Sequence, residues 1–259
     1  MKVPFWKLTG AGNDFVLLEG LPRGRSGAAL ARRLCDRRFG IGADGLLVVS
    51  RSRQETRLLY WNADGSASFC GNGTRCAALW TAARGRNASR SFPIRTNRGL
   101  RRARLTGRGR AEVTMPWPRD LRLDLSLKLS GRAVAAHFVD TGVPHCVVFV
   151  PDVDSVDVRT LGRALRFHPA FGKAGANVDF VTARRGALTL RTYERGVEDE
   201  TLACGTGIVA SAVVARAMGL CGPRARVRVR GGETLIVGLG TETTLEGPGK
   251  TVFAGEVEL

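Results

Sequence analysis

Two stretches decide how the chain is read: residues 58–85, LLYWNADGSASFCGNGTRCAALWTAARG, and residues 190–219, LRTYERGVEDETLACGTGIVASAVVARAMG. In each, a β-like run meets a polar turn, a Cys-Gly-x-Gly sequence follows, and an apolar stretch with helical spacing comes next. Cys70 and Cys204 then match at an offset of 134 residues. Beyond these two stretches, GAGNDFVLL (10–18) aligns with TGVPHCVVFV (141–150), so that Asn13 faces Val143 at an offset of 130. RRFGIGADGLLVV (37–49) aligns with PAFGKAGANVDFV (169–181), and EVTMP (112–116) with TLEGP (244–248), both at an offset of 132. Four stations in the same order with so little drift indicate two copies of one unit.

Each copy reads as β-rich with two helices. The helical stretches are SGAALARRLCDRRFG (26–40) and RCAALWTAARG (75–85) in the first, TLGRALRF (160–167) and IVASAVVARAMG (208–219) in the second. Many short strands and few helices give an α+β class. A length of 259 residues allows one large domain or two modest ones, and the repeat favours two. Hydrophobic residues at 44% and a mean hydropathy of −0.05 suit a folded chain. The start, MKVPFWKLTGAGNDF, lacks the apolar core of a signal peptide, and no apolar run approaches the ~20 residues of a membrane span. A cytoplasmic protein with no membrane partner is expected. Six cysteines in a reducing compartment are expected as free thiols, and the three histidines show no metal-ligand spacing, so no metal is expected.

The net charge of +17 is uneven: residues 1–130 hold 25 basic and 9 acidic side chains, residues 131–259 hold 15 and 14. Arg84, Arg86, Arg90, Arg95, Arg98, Arg101, Arg102, Arg104, Arg108 and Arg110 form the densest tract. Such a tract raises a nucleic-acid surface as a rival reading. Its one aromatic, Phe92, leaves it without stacking platforms, and it reads as strand, turn, strand with arginines facing water. A solvated basic face is the favoured reading, and nucleic acid is not expected as a partner.

The chemistry sits in the doubled Cys-Gly-x-Gly. The first turn of a helix has N–H groups without internal partners and a partial positive charge, which favours a thiolate on a cysteine placed there. The same groups can hold a carboxylate, and flanking glycines let a ligand approach the backbone. Two such sites, one per copy, suit inversion of a stereocentre in a cleft between the copies. One thiolate takes a proton from one face and the other thiol returns one on the opposite face. No cofactor is expected, because GAGNDF precedes a strand and no phosphate-binding loop follows. Cys35, Cys76, Cys146 and Cys221, without a glycine frame, read as packing. Two facing thiols could also close a disulfide, an inactivating side reaction.

At NADGSASFCGNGTRC and YERGVEDETLACGTG the sequence resembles the diaminopimelate epimerase family, from LTGAGNDFVLLEG near the start to GPGKTVFAGEVEL at the end. The resemblance implies two pseudo-symmetric mixed α/β lobes with the active site in the cleft between them. The lobes would be 1–118 and 119–249, with the strand 250–259 returning to the first. It implies cofactor-independent interconversion of LL- and meso-diaminopimelate, in lysine and peptidoglycan-precursor synthesis. Cys70 and Cys204 match the two acid/base residues, and Gly71, Asn72, Gly205 and Thr206 match the carboxylate cradle. Asn13, Asn62, Asn177 and Arg195 match positions that hold the substrate, Glu194 could take its ammonium, and His145 matches a histidine that tunes or orients a thiol. A homodimer is left open. Two positions depart: Val143 stands where many members have Asn, and Gly45 where some have Gln. Racemisation of another amino acid on the same fold is therefore the alternative within the class, and an arginine-mediated nucleic-acid binder the alternative outside it.

Overall fold

The computed structural model describes residues 1–52, 55–85, 90–129 and 131–259, so Arg86 of the basic tract lies outside the described residues. The chain divides into two compact units, Met1–Thr114 with Glu246–Leu259, and Met115–Leu245.

The first unit runs β1 (Lys2–Gly10), β2 (Asn13–Glu19), α1 (Gly27–Cys35), β3 (Gly45–Arg51), β4 (Thr56–Asn62), α2 (Gly71–Ala83), β5 (Ser91–Thr96), β6 (Gly99–Gly107) and β7 (Arg110–Thr114). The second runs β8 (Arg119–Leu129), β9 (Arg132–Asp140), β10 (Pro144–Phe149), α3 (Val158–Arg166), β11 (Asn177–Arg184), β12 (Ala187–Glu194), β13 (Asp199–Thr201), α4 (Gly205–Ala217), β14 (Arg224–Val229), β15 (Thr234–Leu239) and β16 (Thr243–Pro248), whose last three residues belong to the first unit. Strand β17 (Lys250–Glu258) pairs antiparallel with β1, Lys2 opposite Glu258.

The pairing pattern repeats as the sequence does. From β1 to β6, neighbours pair antiparallel, parallel, antiparallel, parallel, antiparallel. The series β9, β10, β11, β12, β14, β15 follows the same alternation. Each parallel pair needs a crossover, and the helices supply it: α1 between β2 and β3, α2 between β4 and β5, α3 between β10 and β11, α4 between β12 and β14. GAGNDF follows a strand as well as preceding one, a correction to its sequence reading. It forms the tight turn from β1 to β2, with Ala11 at φ 56° and Gly12 at φ 93°.

The two helices of each unit differ in kind. Helix α1 is capped by Ser26 and turns Leu30, Ala31, Leu34 and Cys35 inward, an amphipathic stripe on one face. By contrast, α2 buries Gly71–Ala78, Trp80 and Thr81, and α4 buries Gly207–Ala212, Val214 and Ala215. Burial on every face encloses each of these helices within its own unit, which fixes the direction of its first turn. In the basic hairpin Arg95, Arg98, Arg102 and Arg104 are exposed, but Arg101 is not: it is half-buried with its guanidinium 5.1 Å from the centre of the Phe69 ring.

A charged cluster lies near the β1–β2 turn, with Lys7 buried, Asp14 half-buried and Arg37 exposed. Lys7 Nζ lies 2.7 Å from Asp14, and Arg37 reaches both oxygens of that carboxylate at 2.8 and 3.1 Å. Burial alone would raise Asp14, but Arg37 and Lys7 outweigh it and hold the carboxyl down at about 2. A depressed carboxylate stabilises the fold above its unfolded value and loses that contribution as pH falls through the folded one. Asp14→Asn is expected to cost about 2 kcal/mol at pH 7, with the gap to wild type narrowing below about pH 4. Urea unfolding at pH 7, 4 and 3 measures this, and a gap that ignores pH would contradict it.

Candidate active site

Helix α2 starts four residues ahead of the arginine that opens its apolar stretch. Gly71 is its first residue, so Cys70 is the N-cap, in extended conformation (φ −131°, ψ 112°) with its Sγ accepting the Gly73 N–H at 3.3 Å. A sulfur thus takes the place usually held by a Ser or Asp oxygen. The N–H groups of Gly71 and Asn72 lie in the first turn, which has no intrahelical acceptors. Asn72 is fully buried and donates its Nδ2 to Asn13 Oδ1 at 2.6 Å, and Asn13 donates its own Nδ2 to Asp44 Oδ2 at 3.0 Å. Arg37 donates to the other Asp44 oxygen at 2.8 Å. Both ends of the Asn13 amide are thereby fixed, and Asp44 and Arg37 are members of the site that sequence reading missed. Asn62, at the end of β4, accepts the Tyr60 hydroxyl at 2.8 Å and donates to Ser66 at 2.9 Å. Gly45 pairs with Asn62 across β3 and β4, and a β-carbon there would fall 2.4 Å from Tyr60 Cε2. The Tyr60 ring occupies the space a side chain at 45 would need.

In the second unit α4 begins at Gly205 and Cys204 is its N-cap (φ −115°, ψ 110°), now buried. Its Sγ lies 3.4 Å from the Thr206 hydroxyl, and the Thr206 carbonyl accepts from Thr141 at 3.0 Å. Burial raises the Cys204 thiol well above its ordinary value; the carboxylates of Glu194 and Asp179 add to this, while the Thr206 hydroxyl and the Gly207 N–H oppose it. His145 is fully buried and does not bond the sulfur. Its Nδ1 lies 2.6 Å from Asp179 Oδ2, and its Nε2 faces Asn177 Nδ2 at 3.5 Å. Asn177 also donates to the Pro144 carbonyl at 3.1 Å and accepts the Arg195 backbone N–H at 2.8 Å. That last bond ties the arginine to the first residue of β11, while its guanidinium makes no hydrogen bond or ion pair among the described residues. A planar fork left in this state suits a carboxylate. Val143 is half-buried in the turn before β10, where its carbonyl accepts the Thr141 N–H at 3.1 Å.

All six cysteines are free thiols. Burial pushes Cys35 and Cys76 up to about 12 and raises Cys146 and Cys221, as inert packing requires. Among the described residues no three His, Cys, Asp or Glu side chains gather as a metal site. A groove of about 800 Å³ beside the C-terminal half of α2, lined by Trp6, Leu79, Trp80 and Leu105, contains none of the predicted site residues.

A model of the diaminopimelate epimerase family matches residues 5–118 and 137–252. Among curated relatives, the diaminopimelate epimerase of Chlorobaculum tepidum is 39% identical over 97% of this chain and 100% of its own length. That of Aquifex aeolicus is 38% identical over 98% and 97%, and that of Methanothrix thermoacetophila 40% over 99% and 96%. Among solved structures, a phenazine biosynthesis protein of the PhzF family from Bacillus anthracis superposes with a TM-score of 0.78 at 13% identity, covering 100% of both chains. A hydroxyproline epimerase from Agrobacterium vitis does so with a TM-score of 0.71 at 17% identity, over 99% of this chain and 92% of that one. At these identities the superpositions speak for the fold, a mixed α/β architecture with few helices.

Proposed function

The chain belongs to the diaminopimelate epimerase family, and on that premise we propose that it interconverts LL-2,6-diaminopimelate and meso-diaminopimelate by proton transfer at one α-carbon. It is an isomerase, and its product would serve lysine and peptidoglycan-precursor synthesis. The observation that carries the mechanism is the doubled N-cap cysteine, one in each unit, each followed by two first-turn N–H groups and a glycine. Inversion needs one base and one acid, and Cys70 and Cys204 supply them without a covalent intermediate. As the α-proton leaves, charge develops on the substrate carboxylate. The N–H groups of Gly71, Asn72, Gly205 and Thr206 stabilise it where it forms.

The remaining ligands are assigned to the substrate's other polar groups. Arg195 takes the distal carboxylate as a fork, and Glu194 an ammonium. Asn13 and Asn62 each keep one N–H and one lone pair beyond the bonds that hold them. Asn177 spends both donors on Pro144 and His145, so it can serve only as an acceptor. Val143, which cannot hydrogen-bond through its side chain, supports the second reading, a racemase of the same fold acting on another amino acid. One experiment separates the two. LL-diaminopimelate and a panel of other amino acids are incubated in deuterium oxide and α-proton exchange and epimer formation are followed by NMR. Exchange with diaminopimelate and formation of the meso form are expected; exchange confined to another amino acid would move the assignment to it, and no exchange at all would end both.

A further inference from the structure

Two helix starts built on one plan rest on chemically different floors. Under Gly73 the floor is apolar: a β-carbon there would meet Leu47 Cδ2 at 2.9 Å and Phe15 Cε1 at 3.4 Å. Under Gly207 it is a carboxylate, since the same added carbon would lie 2.3 Å from Asp179 Oδ1 and 3.1 Å from its Cγ. At the 130-residue offset of the repeat, Phe15 faces His145, so the polar floor is particular to the second unit. The Asp179 carboxylate cannot swing away. His145 Nδ1 holds Oδ2 at 2.6 Å, the Thr192 hydroxyl donates to Oδ1 at 2.7 Å, and all three side chains are buried. A charged group costs several kcal/mol to bury unless it is held this way, so its place beneath an otherwise repeated helix start calls for a reason.

We propose that Asp179 is a positioning residue for Cys204: fixed by His145 and Thr192 and seated in the space left by Gly207, under the helix start that Cys204 caps, it adds its charge to burial and Glu194 in opposing the Cys204 thiolate. The inference rests on the assignment of Cys204 to proton transfer. The groups whose charge or hydrogen bonding acts on this sulfur are Glu194 on β12, Asp179 on β11, the Thr206 hydroxyl and Gly207 N–H on α4, and, through Asp179, His145 on β10. Burial raises the thiol most, and the two carboxylates reinforce it against the pull of the helix start.

The test is Asp179→Asn, which removes the charge while its amide oxygen can still face His145 and its amide nitrogen the Thr192 hydroxyl. Native protein is treated with iodoacetamide from pH 6 to 10 and labelling of each cysteine is read by peptide mass spectrometry. Cys204 in the variant is expected to reach half its maximal rate about one pH unit lower, and so to label up to about tenfold faster at pH 8, with Cys70 unchanged. The alkaline-side transition in the pH profile of kcat/KM should move with it. Superimposable Cys204 curves in a variant that melts like wild type would overturn the proposal. Should Asp179→Asn not fold, Asp179→Ser makes the same measurement. Wild-type Cys204 already fully reactive below an ordinary thiol value of about 8.5 would overturn it without any variant. Absence of α-proton exchange in the wild type would instead remove the reaction and leave the labelling shift standing, so the two failures are distinguishable.

Discussion

Cys204→Ala and Cys70→Ala should each lose about a thousandfold or more of epimerase activity, since each removes one proton-transfer partner outright and general acid–base groups contribute roughly that much. The two losses should differ in what they leave behind. With one cysteine gone, the other can still take a proton from the diastereomer that presents it and return one to the same face. In deuterium oxide each variant should exchange the α-proton of one diastereomer with retention, and the two variants should act on opposite diastereomers. NMR on LL- and meso-diaminopimelate incubated separately measures both quantities. Either variant keeping a tenth of wild-type epimerisation, or both exchanging the same diastereomer, would rule out one cysteine per face. Cys35→Ala is the control: its thiol is buried in the first-unit core and pushed up to about 12, so activity should be largely intact.

The contrast between Cys35 and the capping pair bears on what can be read from a sequence. The repeat was legible because it preserves spacing, and the alternation of parallel and antiparallel pairs in the two units follows from the same order of strands and crossovers. Helical periodicity also marked all four helices, but it marked α2 and α4 late. Gly71, Asn72 and Gly73 carry no apolar stripe, so the first turn is silent to a periodicity argument although it is the turn that matters chemically. What stayed hidden were the polar clusters. Lys7, Asp14, Arg37 and Asp44 meet across β1, β2 and the loop before β3, and His145, Asp179 and Thr192 across β10, β11 and β12. Their partners are 7 to 34 residues apart, most of them on different strands, a separation that no local pattern reports. The one trace was a charged residue interrupting an apolar strand, as in NVDFV. Arg101 misled for the converse reason: in an alternating basic hairpin nothing local distinguishes the arginine that covers Phe69 from those in water.

Gly207→Ala should be far more damaging than Gly73→Ala, its counterpart at the other helix start, and the two floors explain why. An alanine methyl at 207 would sit 2.3 Å from Asp179 Oδ1, closer than real contacts allow. The carboxylate has nowhere to go, because both oxygens are engaged and the surrounding side chains are buried. Either it leaves Thr192 or His145 without a buried partner, or the first turn of α4 moves and takes Cys204 with it. A loss of about 2–4 kcal/mol in urea unfolding is expected from overpacking and unsatisfied polar groups, together with at least about a hundredfold loss of activity, since small displacements of a reacting group cost that much. At Gly73 the added carbon meets Leu47 Cδ2 at 2.9 Å, the far end of an apolar side chain with no hydrogen bond to lose. Gly73→Ala should therefore cost no more than about 1 kcal/mol. Equal losses at the two positions would contradict the difference in floors. A double-mutant cycle then isolates the contact itself: with Asp179→Ala the clash at 207 disappears, so the double variant should be more stable than the sum of the single losses by about 1 kcal/mol or more. Strict additivity would mean that Asp179 is not what the methyl strikes.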